Sequence, residues 1–244
     1  MDPAVLRDDM VEGLAHESKG VVRSEAVSVA MREVPRHEFV ADDRAAYADT
    51  PHERHGTRVL SPSTVARLLE ALSVGADDSV LVVGAGVGYT PAVLAAIASE
   101  ANVHAVEITR RMVYEARENL KRAGYEGVLV DHADGADGLP TYAPFDRVLV
   151  EAAAVRPPRA LVDQLAADGR LVMPLADGGQ TLSILDADGE VVRREGTVAF
   201  QPLLVEGEQA GSVERNRTLR EDRERARRAQ RRRSGWEHDW IDWD

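Results

Sequence analysis

The stretch VLVVGAGVGY places Gly84, Gly86 and Gly88 directly after an apolar run of strand length and directly before a helical pattern. Glycines at such a junction let the backbone approach a ligand closely and take dihedrals that other residues resist. The spacing is G-x-G-x-G, not the G-x-G-x-x-G that cradles a pyrophosphate, so a nucleoside without phosphates fits better. Glu107 ends the next apolar run, where a carboxylate can accept from both ribose hydroxyls, and Ile108 beside it counts in the same pocket. The string HADG then brings Asp134 and Gly135 to the end of a third run, with Asp134 placed to accept from an adenine amino group. An acidic, phosphate-free nucleoside pocket suits S-adenosyl-L-methionine, whose sulfonium is a cation. The competing reading is a tight turn beside two solvated carboxylates.

A second stretch, HGTRVLSPSTVARLLEAL, offers Ser61 immediately before Pro62. Ser61 has two readings: a catalytic hydroxyl, or the cap of a helix with Pro62 at its first position. The helix reading makes Val65, Leu68, Leu69 and Leu72 a buried stripe. Nearby, His52, Glu53 and His55 lack a third matching ligand at usable spacing and read as a polar loop, so no metal site is expected. His132 lies beside the expected adenine pocket and is expected to contribute mainly backbone. The chain has no cysteine, which excludes disulfides and thiolate metal sites.

The elements that must position these groups alternate through the middle of the chain. SVLVVG (79–84), NVHAVE (102–107), GVLVD (127–131) and FDRVLVEA (145–152) read as strands. TPAVLAAIAS (90–99) reads as a helix capped by Thr90 with Pro91 in its first turn, and TRRMVYEARENLKRAG as an amphipathic helix with Met112, Ala116 and Leu120 on one face. Strands buried on both faces and separated by helices predict a doubly wound, mostly parallel sheet. LSILDADGEVVRREGTVAF predicts a late antiparallel hairpin turning at Asp188-Gly189. The region before about residue 75 is mostly helical in pattern, AVSVAMREV and STVARLLEAL included.

From about residue 10 to about residue 206 the chain resembles the protein-L-isoaspartate O-methyltransferase family. The strings MREVPRHEFV, AYADTP, SPSTVA, GAGVGYTPAVLA, HADG, APFDRVLVEAA and DGRLVMPL occur in that family's order and at its spacing. The resemblance implies a class I methyltransferase fold, S-adenosyl-L-methionine as cofactor, and methylation of the α-carboxylate of isoaspartyl residues in damaged proteins. It matches Gly84, Gly86 and Gly88 to the cofactor loop, Glu107 to the ribose-binding acid and Asp134 to the acid of the family's GDG string. The departures are specific. Val82 stands where the family has an acidic residue, and Ala85 and Val87 replace polar residues between the glycines. In the family's G-Q-T-I-S-x-P segment, Leu60 takes the place of the active-site serine and Arg58 that of the threonine. Ser61 stands one position late, and neighbouring side chains of an extended segment point to opposite sides. Arg58 facing inward would offer a bidentate contact to a carboxylate; facing outward it is a solvated cation. Two other functions stay open: a methyltransferase acting on another acceptor such as RNA, and a cofactor-binding protein without isoaspartyl activity because of Leu60.

Composition bounds the setting. The chain has 244 residues, a formal net charge of -12 and 42 acidic residues, while only Lys19 and Lys121 are lysines. Such a chain suits concentrated salt, where self-repulsion is screened; a GC-rich genome is the alternative source of the arginine excess. No apolar stretch approaches the ~20 residues of a membrane helix, and MDPAVLRDDMVEGL lacks the pattern of a signal peptide. A soluble, cytoplasmic protein is expected. We divide the chain into an N-terminal helical region with a substrate-side loop (1–75), an S-adenosyl-L-methionine-binding α/β domain (76–208) and a tail (209–244). The tail is arginine-rich from Arg215 to Arg233 and ends in WEHDWIDWD, which carries Trp236, Trp240 and Trp243. It offers electrostatic contact with nucleic acid, a docking face, or disorder. Oligomeric state is not legible.

Overall fold

A computed structural model describes residues 2–40 and 45–203 of the chain. Two N-terminal helices open it. Helix α1 (Pro3–Ala15) starts because Asp2 accepts from the Ala4 N–H (2.9 Å) and Pro3 is preorganised for the first turn. Helix α2 (Glu25–Glu33) is capped by Ser24 and buries Val27, Ala30 and Met31. A short antiparallel hairpin follows, β1 (His52–Arg54) with β2 (Thr57–Val59), turning through His55 and Gly56, both at positive φ. Helix α3 (Pro62–Leu72) has Ser61 at its N-cap and buries Val65, Leu68, Leu69 and Leu72, as the spacing predicts.

The central layer alternates thereafter. It runs β3 (Val80–Val83), α4 (Tyr89–Ala98), β4 (Val103–Glu107), α5 (Arg110–Ala123), β5 (Leu129–His132) and β6 (Phe145–Val150). It closes with α6 (Arg159–Asp163), β7 (Leu165–Ala176), β8 (Gln180–Leu185) and β9 (Val191–Thr197). The seven strands order as β5-β4-β3-β6-β7-β8-β9. Strands β3 to β7 are parallel, and β8 and β9 pair antiparallel as the expected late hairpin. Asp186 fixes its turn by accepting from the N–H groups of Asp188 and Glu190. All four residues of β3 are buried, as a strand covered on both faces requires. Met112, Ala116 and Leu120 of α5 are buried against the sheet.

One expectation is corrected. Helix α4 is capped by Gly88 at φ 92°, not by Thr90, which lies inside the helix with Pro91. The third glycine of the loop already makes the turn that a side-chain cap would otherwise stabilise. Among the described residues one continuous apolar core runs from Met10 of α1 to Phe200 after β9, so the N-terminal helices and the sheet share it. Both ends of the sheet are braced by arginine. Arg117 of α5 donates to the Val130 carbonyl of β5 (2.9 Å), and Arg67 of α3 donates to the carbonyls of Glu195 (2.7 Å) and Thr197 (3.3 Å) in β9. No helix among the described residues is long and apolar enough to cross a membrane. The expected tail, 209–244, lies outside the described residues.

Candidate functional site

The chain passes outward from β3 through β4 to β5, then returns to the other side of β3 as β6. The crevice at the carboxyl ends of β3 and β6 is therefore the topological switch point, where open α/β sheets bind ligands. Val83 pairs in register with Val150, so Gly84 and Glu151 leave the sheet side by side, and the Glu151 N–H donates to the Val83 carbonyl (2.9 Å).

The glycine loop is built as its composition demands. Gly84, Gly86 and Gly88 take φ of 93°, 53° and 92°, a region that side chains rarely enter. A Cβ on Gly88 would also press to 3.2 Å from the Ala116 carbonyl oxygen and Leu120 Cγ. The N–H groups of Gly84 and Ala85 both donate to the Val106 carbonyl (2.9 and 3.0 Å), which ties the loop to the end of β4. Glu107 ends that strand and turns inward: Oε2 accepts from the Gly86 N–H (3.1 Å) and Oε1 from the Thr109 N–H (2.9 Å). Its side chain thus lies against the loop. Val82 is fully buried within β3. Val87 lines the crevice near its base, its carbonyl held by Asn119 Nδ2 at 2.8 Å.

The second wall comes from the neighbouring strand ends. Ile108 is 39% exposed, unusual for so large an aliphatic residue, and its carbonyl pairs with His132 Nε2 at 3.0 Å. The His132 ring thus ties the ends of β4 and β5 together. Asp134 accepts from the Ala136 N–H (2.9 Å) through one carboxylate oxygen. A Cβ on Gly135 would overlap Val83 Cγ1, so the glycine there is a packing requirement.

On the opposite side, Arg58 and Leu60 border two spaces at once. The inner is a cavity of about 20 Å³ that reaches Gly86, Tyr89, Thr90 and Glu151; the outer is a groove of about 340 Å³ that extends to Pro51, Arg67 and Val198. Ser61 lines neither. Its Oγ accepts from the Thr64 N–H (3.3 Å) and lies 2.9 Å from Thr64 Oγ1, so the hydroxyl is engaged at the helix start. Arg58 is exposed, with Nη1 3.5 Å from the Ala199 carbonyl.

Three further residues belong to this site, and the sequence reading passed over all of them. Arg36, completely buried, donates from Nε to the Ala46 carbonyl (2.8 Å) and from Nη2 to the Leu60 carbonyl (2.6 Å). Its guanidinium carbon sits 4.5 Å from the centre of the Tyr89 ring. Arg36 Nη1, Tyr89 Oη and Glu151 Oε1 are shielded from solvent and have no hydrogen-bond partner among the described residues. Burial pushes the Glu151 carboxyl up to about 7, with Thr90 opposing, the Glu107 charge adding to the rise and Arg36 opposing. Burial also lowers the Arg36 value, from a starting point so high that the group stays charged. The signal for Glu151 was present: like Glu107, it is an acid set directly after the apolar end of a strand.

The histidines near residue 52 belong elsewhere. His55 pairs with Glu115 of α5 (3.0 Å), which also takes Arg54, so the run PHERHG docks the hairpin onto a helix. Among the described residues no group of three metal-ligating side chains forms.

A family model described as protein-L-isoaspartate(D-aspartate) O-methyltransferase matches residues 7–209. The protein-L-isoaspartate O-methyltransferase of Aeropyrum pernix is 43% identical over 206 residues, covering 81% of this chain and 78% of that protein. Among solved structures, a protein-L-isoaspartate O-methyltransferase superposes with a TM-score of 0.73 at 26% identity, covering 87% of this chain and 70% of that one. A Plasmodium falciparum protein assigned to the same activity, in complex with S-adenosyl-L-homocysteine, superposes with a TM-score of 0.73 at 24% identity. The match covers 81% of this chain and 98% of that one. These neighbours share the class I methyltransferase fold described above.

Proposed function

Because the chain belongs to the protein-L-isoaspartate(D-aspartate) O-methyltransferase family, we propose that it methylates the α-carboxylate of L-isoaspartyl residues in damaged proteins for repair, with S-adenosyl-L-methionine as donor. The observation that carries this reading is the inward turn of Glu107, whose carboxylate accepts from the Gly86 N–H at the mouth of the glycine loop. A solvated carboxylate beside an unrelated turn has no reason to take that position. The residues present fit the donor: Gly84, Gly86 and Gly88 admit its backbone-close part, Glu107 its ribose, and Ile108, Asp134 and Gly135 its adenine. When bound, the donor supplies a methyl group already activated by a positive sulfonium.

The chain's own contribution is placement. A carboxylate with an ordinary pKa near 4 is ionised at neutral pH, so no residue needs to remove a proton from it. Holding the reacting oxygen in line is then the main task, and orientation alone supplies much of the rate. Leu60 and Arg58 stand where the inner cavity meets the outer groove, which suits the outer groove to a peptide and sets the reacting end beside the mouth of the inner cavity. Arg58 is the candidate donor to the acceptor carboxylate. Ser61 stays a helix cap in this reading. Residues 1–75 supply most of the acceptor side, with Thr197, Val198 and Ala199, and the sheet from residue 76 to residue 203 supplies the donor side. The acid-rich, lysine-poor composition supports a cytoplasmic enzyme working in high salt.

The test is transfer of labelled methyl from S-adenosyl-L-methionine to an isoaspartyl peptide in molar salt, with the matching aspartyl peptide as control. Base-labile label on the isoaspartyl peptide alone is the expected result. Label on RNA and none on peptide would move the acceptor class. Binding of the donor without turnover on either would leave a cofactor-binding protein.

A further inference from the structure

Four polar side chains from three parts of the chain converge beneath the glycine loop on one cavity. Arg36 comes from the turn after α2, Tyr89 and Thr90 from the start of α4, and Glu151 from the end of β6. Arg36, Tyr89 and Thr90 are each at most 4% exposed. Buried polar atoms are normally paired, because an unpaired one costs about 1–3 kcal/mol. Here Arg36 Nη1, Tyr89 Oη and Glu151 Oε1 lie together without a well-formed hydrogen bond among the described residues, although Arg36 and Tyr89, and Glu151 and Thr90, lie close enough to interact. The cavity they border has room for about one water, at about 20 Å³. It also touches Gly86 of the donor loop and Leu60 of the acceptor wall. Such a set is built to meet something at the junction of donor and acceptor.

We propose that Glu151 sets the charge of the methyl-transfer end of the crevice, facing the donor on one side and Arg36 on the other, and thereby makes donor discrimination and acceptor use depend on pH. This rests on the reading of the crevice as the methyl-donor site. The charged and titratable groups that face Glu151 are Arg36, Tyr89, Glu107 of β4, and Arg58 of β2 across the cavity. Tyr89 is held neutral by burial, so it adds a dipole and no charge. Protonated, Glu151 leaves the Arg36 charge uncompensated, which favours an anionic acceptor. Ionised, it answers Arg36, repels an acceptor carboxylate and attracts a sulfonium. The carboxyl changes state near pH 7, so both regimes are accessible.

The experiment compares the affinities of S-adenosyl-L-methionine and S-adenosyl-L-homocysteine by calorimetry from pH 5.5 to 8.5. The two ligands share amino, carboxylate and nucleoside groups and differ in the positive sulfonium, so their affinity ratio isolates that charge. In the parent protein the ratio shifts toward S-adenosyl-L-methionine by about tenfold as pH rises through the titration of Glu151, one pKa unit of interaction. Glu151→Gln makes the ratio pH-independent over this range. Thr90→Val, which removes the hydroxyl favouring the ionised form, moves the midpoint to higher pH. In parallel, kcat/KM for the isoaspartyl peptide falls on the alkaline side in the parent and stays level in Glu151→Gln. A flat ratio in the parent, an unchanged slope in Glu151→Gln, or failure of both ligands to bind overturns the inference. Normal ratios with no turnover on the isoaspartyl peptide overturn the proposed acceptor instead and leave the role of Glu151 supported.

Discussion

Glu107 at the end of β4 and Glu151 just past β6 stand on either side of β3, in different surroundings. Glu107 accepts from two backbone N–H groups. Replacing it by alanine removes charge-assisted bonds to the donor, so calorimetry should show S-adenosyl-L-methionine binding weaker by roughly 1.5–3 kcal/mol. An unchanged affinity would remove Glu107 from the site. Burial raises the Glu151 carboxyl from the ordinary 4.5 to about 7. A raised folded value means that the fold bears no cost while the group is protonated, below the unfolded pKa. The cost grows as pH climbs toward the folded pKa. Glu151→Gln should therefore gain stability over the parent between about pH 4.5 and pH 7, by at most about 3 kcal/mol. Denaturant titrations at pH 4.5 and pH 8 would show the difference. The glycines and Glu107 were legible because spacing alone reports them. Arg36 was not, because a buried arginine bonding to the Ala46 and Leu60 carbonyls has no local pattern; its partners lie 10 and 24 residues away.

At the scale of elements, the start of α3 separates two roles that the sequence left open for Ser61. Its Oγ accepts from the Thr64 N–H and it lines neither the cavity nor the groove. Ser61→Ala should cost about 1 kcal/mol of stability, a shift of roughly 2–4 °C in Tm, while kcat on the isoaspartyl peptide stays within about twofold. A loss of a hundredfold or more in kcat with little change in Tm would return Ser61 to the chemistry. Long periodic elements were read correctly: α3 and α5 showed their buried stripes in sequence, and β3 its double-sided apolar run. The β1–β2 hairpin was missed for a physical reason. Its strands are three residues each, too short for alternation, and it is held to α5 by Arg54 and His55 on Glu115, an ion pairing that no local pattern reports. The cap of α4 was misplaced because Thr90-Pro91 imitates a helix start, whereas the turn is completed at Gly88.

The whole molecule carries a net charge of -12, and its self-repulsion acts over the Debye length, about 10 Å at 0.1 M salt and about 3 Å at 1 M. Raising potassium chloride from 0.1 to 2 M should therefore raise Tm by at least roughly 2–4 °C, about 1 kcal/mol for a chain of this size. A flat or falling Tm would count against adaptation to salt. The doubly wound order was legible because alternating strand and helix patterns leave few topologies once crossovers are right-handed. The braces at the two ends of the sheet have a consequence of their own. An open sheet edge is a template on which a foreign strand can assemble, and such assembly begins with free carbonyl and N–H groups. Here Arg117 occupies a carbonyl of β5, and Arg67 occupies two of β9. Exposed Arg193 and Arg194 add charge along β9. Among the described residues, both margins of the sheet are thus poor seeds for amyloid-like growth, which matters for a chain whose proposed clients are themselves damaged proteins.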